Sequence, residues 1–281
     1  MAPGLYVVAT PIGHLDDVTL RALKVLAAAD LIYCEDTRIT RRLLERYAIA
    51  ARPRVYDDHR GHRVRPGILA ALDAGRSVAL VSDAGTPLIS DPGFKLVRAA
   101  REEGHAVFTV PGPSALTAAA AVAGIATDRL HFAGFLPARP GPRRHAIAEL
   151  ATIDATLVLY EAPGRLAAAL ADLAAGLGDR EAAVARELTK LHEDVVRAPV
   201  GELARRYAAT APKGEVVILV AAPARAGAGA DAIDAALGRA LAGASLRDAA
   251  AAVAAELGVA RSETYRRALA LQRAVDDDGP D

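Results

Sequence analysis

Residues 81–93, read as VSDAGTPLISDPG, hold the side chains of this chain best suited to chemistry. An apolar run, Ser77 to Val81, leads into them and a helical pattern follows. Two prolines and two glycines in this stretch forbid regular structure. Asp83, Asp91, Thr86, Ser90 and several backbone N–H groups then sit at the C-terminal end of a strand, where open α/β sheets bind ligands. An ordinary polar connection is the competing reading. Five other polar segments also end apolar runs. They are Thr10 to His14, Glu35 to Arg38, Pro111 to Ser114, Tyr160 to Pro163 and Ala185 to Lys190. On parallel strands all six loops open on one edge and converge on one cleft.

The elements that must carry these loops are legible as a pattern. Strands are expected at 5–9, 31–34, 77–81 and 107–110, with helices over 18–28, from Glu35–Arg38 to Tyr47, 63–74 and 94–103. Such alternation implies a mostly parallel sheet covered by helices. Pro111 to Ser114 break the pattern, Ser114 caps an alanine-rich helix over 115–123, and Gly124 ends it. A second α/β unit follows, with strands at 130–134, 155–160, 182–186, 193–197 and 215–221 and helices at 143–151, 164–176 and 201–209. Residues 223–230, PARAGAGA, read as a flexible linker. Helices at 231–242, 246–257 and 261–274 come after it, with Ser245 and Ser262 as caps and Gly258 as a stop. Their outline is that of a helix-turn-helix or of a plain bundle. The tail from Asp276 to Asp281 is expected to be disordered. The fold class is therefore α/β, with two α/β domains flanking a cleft and a small helical C-terminal domain. The expected spans are 1–112, 113–223 and 231–275.

Composition removes several function classes. Lys plus Arg and Asp plus Glu both number 34, so no global basic field exists to coat nucleic acid. Local basic clusters do exist: Arg38, Arg41, Arg42 and Arg46; His59, Arg60, His62, Arg63 and Arg65; and Arg139, Arg143, Arg144 and His145. Arg247, Arg261, Arg266 and Arg267 recur in the helical tail among nearly balancing acids. Each cluster is a solvated face or a track for a phosphate backbone. The chain has no GxGxxG, P-loop, HExxH, CxxC or GxSxG pattern, so dinucleotide, P-loop, metal and serine-nucleophile chemistry lack support. The single cysteine, Cys34, reads as a small buried hydrophobe, which fits a reducing cytoplasm. Neither a membrane span nor a signal peptide is expected.

Taken together, LYVVATPIGHL at 5–15, Glu35-Asp36-Thr37-Arg38, VSDAGTPLISDPG, Val110 to Ser114, Gly134-Phe135-Leu136-Pro137 and Ala185 to Lys190 follow the order and spacing of one family. Over residues 4–221 the chain resembles the tetrapyrrole methylase superfamily, in its branch that methylates small-subunit ribosomal RNA. The helical tail is similar to that branch's small C-terminal domain. Two positions depart from the family pattern: His14 stands where asparagine is usual and Gly164 where histidine is usual.

The resemblance implies S-adenosylmethionine-dependent 2′-O-methylation of a cytidine ribose, cytidine 1402 by that family's assignment, in the decoding centre of 16S rRNA. It also implies a homodimer acting on the small ribosomal subunit without a metal or a membrane. It puts Pro11, Asp83, Ala84, Gly85, Thr86, Ser114 and Ala115 on one side of the methyl donor. Ala162, Leu188 and the Lys213-Gly214-Glu215 turn close the other side. The reaction needs an aligned ribose oxygen and removal of its proton, which a lysine lowered or a carboxylate raised by burial would accept. Among Asp36, Asp83, Glu161, Glu187 and Lys190, the choice falls on Glu187 and Lys190, with Asp36 orienting the substrate. Structural ion pairs are the alternative role for these three. Arg38, Arg41, Arg42, Arg60, Arg63, Arg139, Arg143 and Arg144 are the expected RNA contacts. A tetrapyrrole methylase and a non-catalytic RNA-binding assembly factor are the competing functions.

Overall fold

The computed structural model describes residues 1–57, 60–210, 212–223 and 230–277. His59, the linker residues 224–229 and the tail residues 278–281 lie outside the described residues. Two compact units are present, Met1–Ala222 and Pro223–Asp281.

The first half of unit 1 is built on β1 (Gly4–Val8), β2 (Leu31–Cys34), β3 (Arg54–Val55), β4 (Ser77–Val81) and β5 (Val107–Val110). All of them pair in parallel, in the order β3-β2-β4-β1-β5. The pleat sends Tyr6, Val8, Ile32, Cys34, Ala79 and Val81 to one face, where α1 (Leu20–Ala28) and α2 (Thr37–Arg46) cover them. Leu5, Leu31, Tyr33, Val78 and Leu80 face the other way, under α3 (Gly61–Asp73) and α4 (Phe94–Glu102). Burial on both faces explains the continuous apolar strand sequences. Cys34 is fully buried, as expected of a small hydrophobe. The chain leaves β1 for one side of the sheet and leaves β4 for the other. The loops after these two adjacent strands therefore flank a topological switch point.

After α5 (Ala115–Val122) comes a second sheet of β6 (Leu130–Phe135), β7 (Thr156–Glu161), β8 (Glu181–Arg186), β9 (Asp194–Pro199) and β10 (Val216–Val220), in the order β6-β7-β10-β8-β9. Only β6 and β7 are parallel; β10 runs against both β7 and β8, and β9 against β8. The mostly parallel sheet read from the first alternation thus does not extend to the second α/β unit, whose strand signals carry no direction. One face packs on α6 (Pro140–Leu150), α7 (Leu166–Leu177) and α8 (Val200–Ala209). The other carries α5, whose Ala119 and Ala120, with Ala123 just after the helix, meet Val158, Ala183, Val217 and Leu219. Ile12, from the loop after β1, enters this same apolar cluster.

Unit 2 is a three-helix bundle of α9 (Ala230–Leu241), α10 (Leu246–Leu257) and α11 (Arg261–Asp277) around Leu237, Ala250, Val253 and Ala268. Ser245 caps α10 by accepting from the Asp248 N–H, and Gly258 closes it in the left-handed conformation. Ser262 is inside α11 rather than at its cap, and that helix continues through Asp276 and Asp277, which the sequence assigns to the tail. Among the described residues no helix is long and apolar enough to cross a membrane.

Candidate active site

All six strand-end loops reach one cavity of about 500 Å³, within the usual range for small-molecule sites. Its wall takes Ile12, Glu35, Asp83 to Thr86, Ser114, Tyr160 to Pro163, Ala185 and Leu188 from those loops. Glu215, Val216 and Val217 join them from the opposite chain direction. Because β10 is antiparallel, its N-terminal end points to the edge where its neighbours end.

Backbone pairing fixes the shape of the 82–86 turn. Thr10 and Gly85 exchange N–H···O bonds of 2.9 and 3.0 Å, so the Gly85 N–H is committed rather than offered to a ligand. Thr10 donates its hydroxyl to the Ser82 carbonyl, Ser82 to the Gly85 carbonyl and Thr86 to the Pro113 carbonyl. Gly85 has φ of +81°, and a Cβ there would stand 3.2 Å from Ile12. Ser114 occupies the cap position of α5 without a capping bond from its side chain. The Leu116 N–H instead donates to the Tyr160 hydroxyl from the second sheet, 3.2 Å away.

The residues with unusual backbone cluster here. Among the described residues five non-glycine residues have positive φ, and four of them, Leu88, Ser90, Glu187 and Thr189, sit on loops 82–93 and 187–190. Strain of this kind persists where surrounding contacts over-determine it, and it concentrates at functional sites. On the 187–190 loop those contacts are visible. The His14 N–H donates to the Thr189 hydroxyl at 3.0 Å, and the Thr189 N–H donates to Glu193. A Cβ on Gly13 would come within 2.6 Å of the Thr189 hydroxyl and 2.7 Å of Lys190. The second half is thereby clamped onto the loop after β1. His14 accepts from the Asp16 N–H through Nδ1, which is capping work an asparagine oxygen also performs. Gly164 faces open space, so its lost side chain leaves no packing fault.

Electrostatics separate the carboxylates into two groups. Asp83 and Asp91 are half-buried in the cavity wall. Burial raises the Asp83 carboxyl, although it accepts the Asp36 N–H at 2.9 Å. Burial also raises Asp91 to about 6, reinforced by the charges of Glu35 and Asp83 and offset in part by a Ser82 hydrogen bond. Asp36 is the opposite case. It caps α2 and accepts from the Arg38 side chain, and these bonds lower it to about 2. Glu187 is lowered by its hydrogen bond from Lys190, 3.0 Å away. Burial lowers Lys190, but hydrogen bonds to Glu187 and Glu215 outweigh it and leave the ammonium raised. The expected burial-lowered lysine is therefore absent at this position, and the burial-raised carboxylates are Asp83 and Asp91.

Of the residues expected to hold a donor, Asp83, Ala84, Gly85, Thr86, Ser114, Ala115, Ala162 and Leu188 line the cavity. Pro11 lies instead in an adjoining pocket of about 360 Å³, together with Lys190. Gly214 is not in the wall but precedes Glu215, which is; at φ of +86°, a Cβ on it would overlap the Glu187 carboxylate. Neither Asp36 nor Glu187 lines the cavity. Phe135 also stands in the wall, although sequence reasoning gave it no site role, and Asp91 and Tyr160, which the sequence offers only as members of their loops, line it directly. The Asp91-Pro92-Gly93 segment reads as turn chemistry, and nothing local marks its carboxylate as pointing inward.

The basic clusters also divide. Arg41, Arg42, Arg63 and Arg139 are exposed, and Arg60 is exposed beside Asp57 at 3.7 Å. Arg38 holds Asp36. Arg143 cannot contact RNA: it is buried and paired with Asp172 at 2.6 Å, the carboxylate that Arg144 also engages at 3.0 Å. Arg144 itself remains exposed.

The pattern of the tetrapyrrole (corrin/porphyrin) methylases matches residues 4–204. Two solved structures share the fold. A cobalt precorrin-4 methyltransferase of cobalamin biosynthesis aligns with a TM-score of 0.59 at 20% identity, over 77% of this chain and 94% of its own. A diphthine synthase gives 0.61 at 17% identity, over 77% and 89%. The chain belongs to the tetrapyrrole methylase family and is a methyltransferase. Within that family its similarity is to proteins named ribosomal RNA small subunit methyltransferase I. The one from Mesorhizobium japonicum is 46% identical over 97% of this chain and 93% of its own length. The one from Escherichia coli O157:H7 is 47% identical over 77% of each. The one from Thermotoga maritima is 43% identical over 77% of this chain and 97% of its own length.

Proposed function

We propose that this chain transfers a methyl group from S-adenosylmethionine to the 2′-oxygen of a cytidine ribose, the cytidine named above, in 16S rRNA of the small ribosomal subunit. One observation carries the donor half of the reading. The cavity wall combines a row of carboxylates, Glu35, Asp83 and Asp91, with apolar surface from Ile12, Leu188 and Val217. A sulfonium donor is cationic at sulfur and has an amphipathic adenosine, so this donor set fits it. The names of the relatives support the RNA half, as do the exposed arginines of α2.

Bound donor supplies an electrophilic methyl carbon on positive sulfur. The chain's residues hold and orient it: Asp83 and Asp91 oppose its charge, and Thr86 and Ser114 border it. The ribose oxygen forms the new C–O bond as the C–S bond breaks, and the bonding pair stays on sulfur. The hydroxyl proton leaves to a carboxylate, and Asp83 has the raised affinity such an acceptor needs. Lys190, held as an ammonium, steadies negative charge on the acceptor side, with Glu187 fixing its position. Asp36 orients the Arg38 guanidinium toward the substrate. The homodimer and the division at 112–113 into a donor domain and a closing domain belong to the same reading.

The test offers labelled S-adenosylmethionine and purified protein to small subunits, naked 16S RNA and a tetrapyrrole. Label in RNA, mapped to a 2′-oxygen, is the expected result. Label only in the tetrapyrrole overturns the reading, and subunit binding with no label anywhere favours an assembly factor.

A further inference from the structure

A pocket of about 360 Å³ adjoins the donor cavity and shares Ile12, Asp83, Ala84 and Glu215 with it. We infer that this second pocket, between α2 and the 187–190 loop, receives the acceptor nucleotide, with its phosphate at Arg42 and its base against Ile39 and Leu15.

In-line displacement requires the acceptor oxygen on the side of the methyl carbon opposite the sulfur. Donor and acceptor must therefore occupy neighbouring spaces that meet at a thin common wall, and here the wall is Asp83-Ala84. Two other pockets serve less well. One shares no residue with the donor cavity. The other shares Ile12 and Ser114, but its only charged wall residue is Asp17. A polyanionic substrate finds no cation there.

The pocket beside α2 has the chemistry a nucleotide needs. Lys190 stands in its wall, with Asp83 and Glu215 as hydrogen-bond acceptors for ribose hydroxyls. Ile39 and Leu15 expose 44% and 39% of their surface at its border, large values for apolar side chains and suited to the face of a base. Arg38 and Arg46 are engaged by Asp36 and Asp16. Arg42 and its neighbour Arg41 are exposed, and the acids that hold Arg38 and Arg46 on this helix are not shared with them, so these two cations remain for phosphate. This site assignment rests on the proposed RNA methylation and adds where the nucleotide enters.

The experiment measures methyl transfer to small subunits, together with donor affinity by calorimetry, for Arg42→Glu and Ile39→Ser in the full chain. Both side chains are exposed, and a melting curve checks that each variant folds. Arg42→Gln serves as a milder second variant. We expect the RNA KM to rise about tenfold or more for Arg42→Glu and severalfold for Ile39→Ser, with donor Kd within twofold of wild type. Normal KM in all three variants, with an active wild type, overturns the pocket assignment and leaves RNA methylation standing. A wild type that labels no RNA but does label a tetrapyrrole overturns both.

Discussion

Loops 82–93 and 187–190 face the same cavity and both hold strained non-glycine residues, yet their charges are arranged in opposite ways. On the first, Asp83 and Asp91 crowd together with Glu35, and burial disfavours their ionised forms. On the second, Glu187 is ion-paired with Lys190, and both remain charged. No cation is among the groups acting on Asp91, and Arg38 offsets the burial of Asp83 only in part, whereas the Glu187–Lys190 pair is closed. The comparison assigns ligand binding to the first loop and clamping to the second. It also explains why residue type alone misleads: the Glu-Lys pair has the more suggestive side chains, but its hydrogen bonds are internally satisfied.

Four measurements put this contrast at risk. Asp83→Ala should have the largest effect, raising the Kd for S-adenosylmethionine about a hundredfold, roughly 2.7 kcal/mol. Unchanged affinity in calorimetry would remove this loop from the donor site. Gly214→Ala comes next, because its Cβ would collide with Glu187. It should cost about 2 kcal/mol of stability in denaturant unfolding and weaken donor binding as the clamp shifts. A stable variant with intact donor binding would show that the 187–190 loop does not hold the wall.

Asp91 gives a pH signature. Its folded carboxyl lies near 6, above the ordinary 3.8, so the folded protein holds the proton more tightly than the unfolded chain. That contribution to stability is fully present below about pH 4 and is lost as pH rises through about 6. Asp91→Asn should therefore raise the unfolding free energy of the ligand-free protein at pH 7 by about 1–2 kcal/mol, allowing for partial solvent screening. The gain should vanish near pH 4. Donor affinity has the opposite slope, because the cation prefers ionised Asp91. It should fall severalfold below pH 6 in wild type and less steeply in Asp91→Asn, where Asp83 alone still gains a proton, as followed by calorimetry across pH. The smallest effect is expected for Glu215→Gln. This side chain is 73% exposed, so its bond to Lys190 contributes under about 1 kcal/mol. A large loss of stability there would mean that the clamp depends on its outer acid.

The elements and most of the cavity wall are legible in residue order alone. The spans 31–34 and 77–81 coincide with β2 and β4 because buried parallel strands are written as largely apolar runs, and 107–110 coincides with the half-exposed edge strand β5, whose residues are β-branched or aromatic. The Gly-Pro-rich loops are legible because only such residues allow those turns. The two-residue β3 carries no pattern and was not legible. Strand direction was also beyond reach: a run such as Val216–Val220 reads the same either way, so the approach of Glu215 from the far end of β10 required the fold. Tertiary structure alone decided which charges are occupied. Arg143 and Arg144 look alike in sequence, but only Arg143 is enclosed with Asp172. Asp91 and Asp36 are both loop aspartates, and only packing separates a carboxyl near 6 from one near 2. Burial and ion pairing arise between segments far apart in the chain, and local residue order does not encode them.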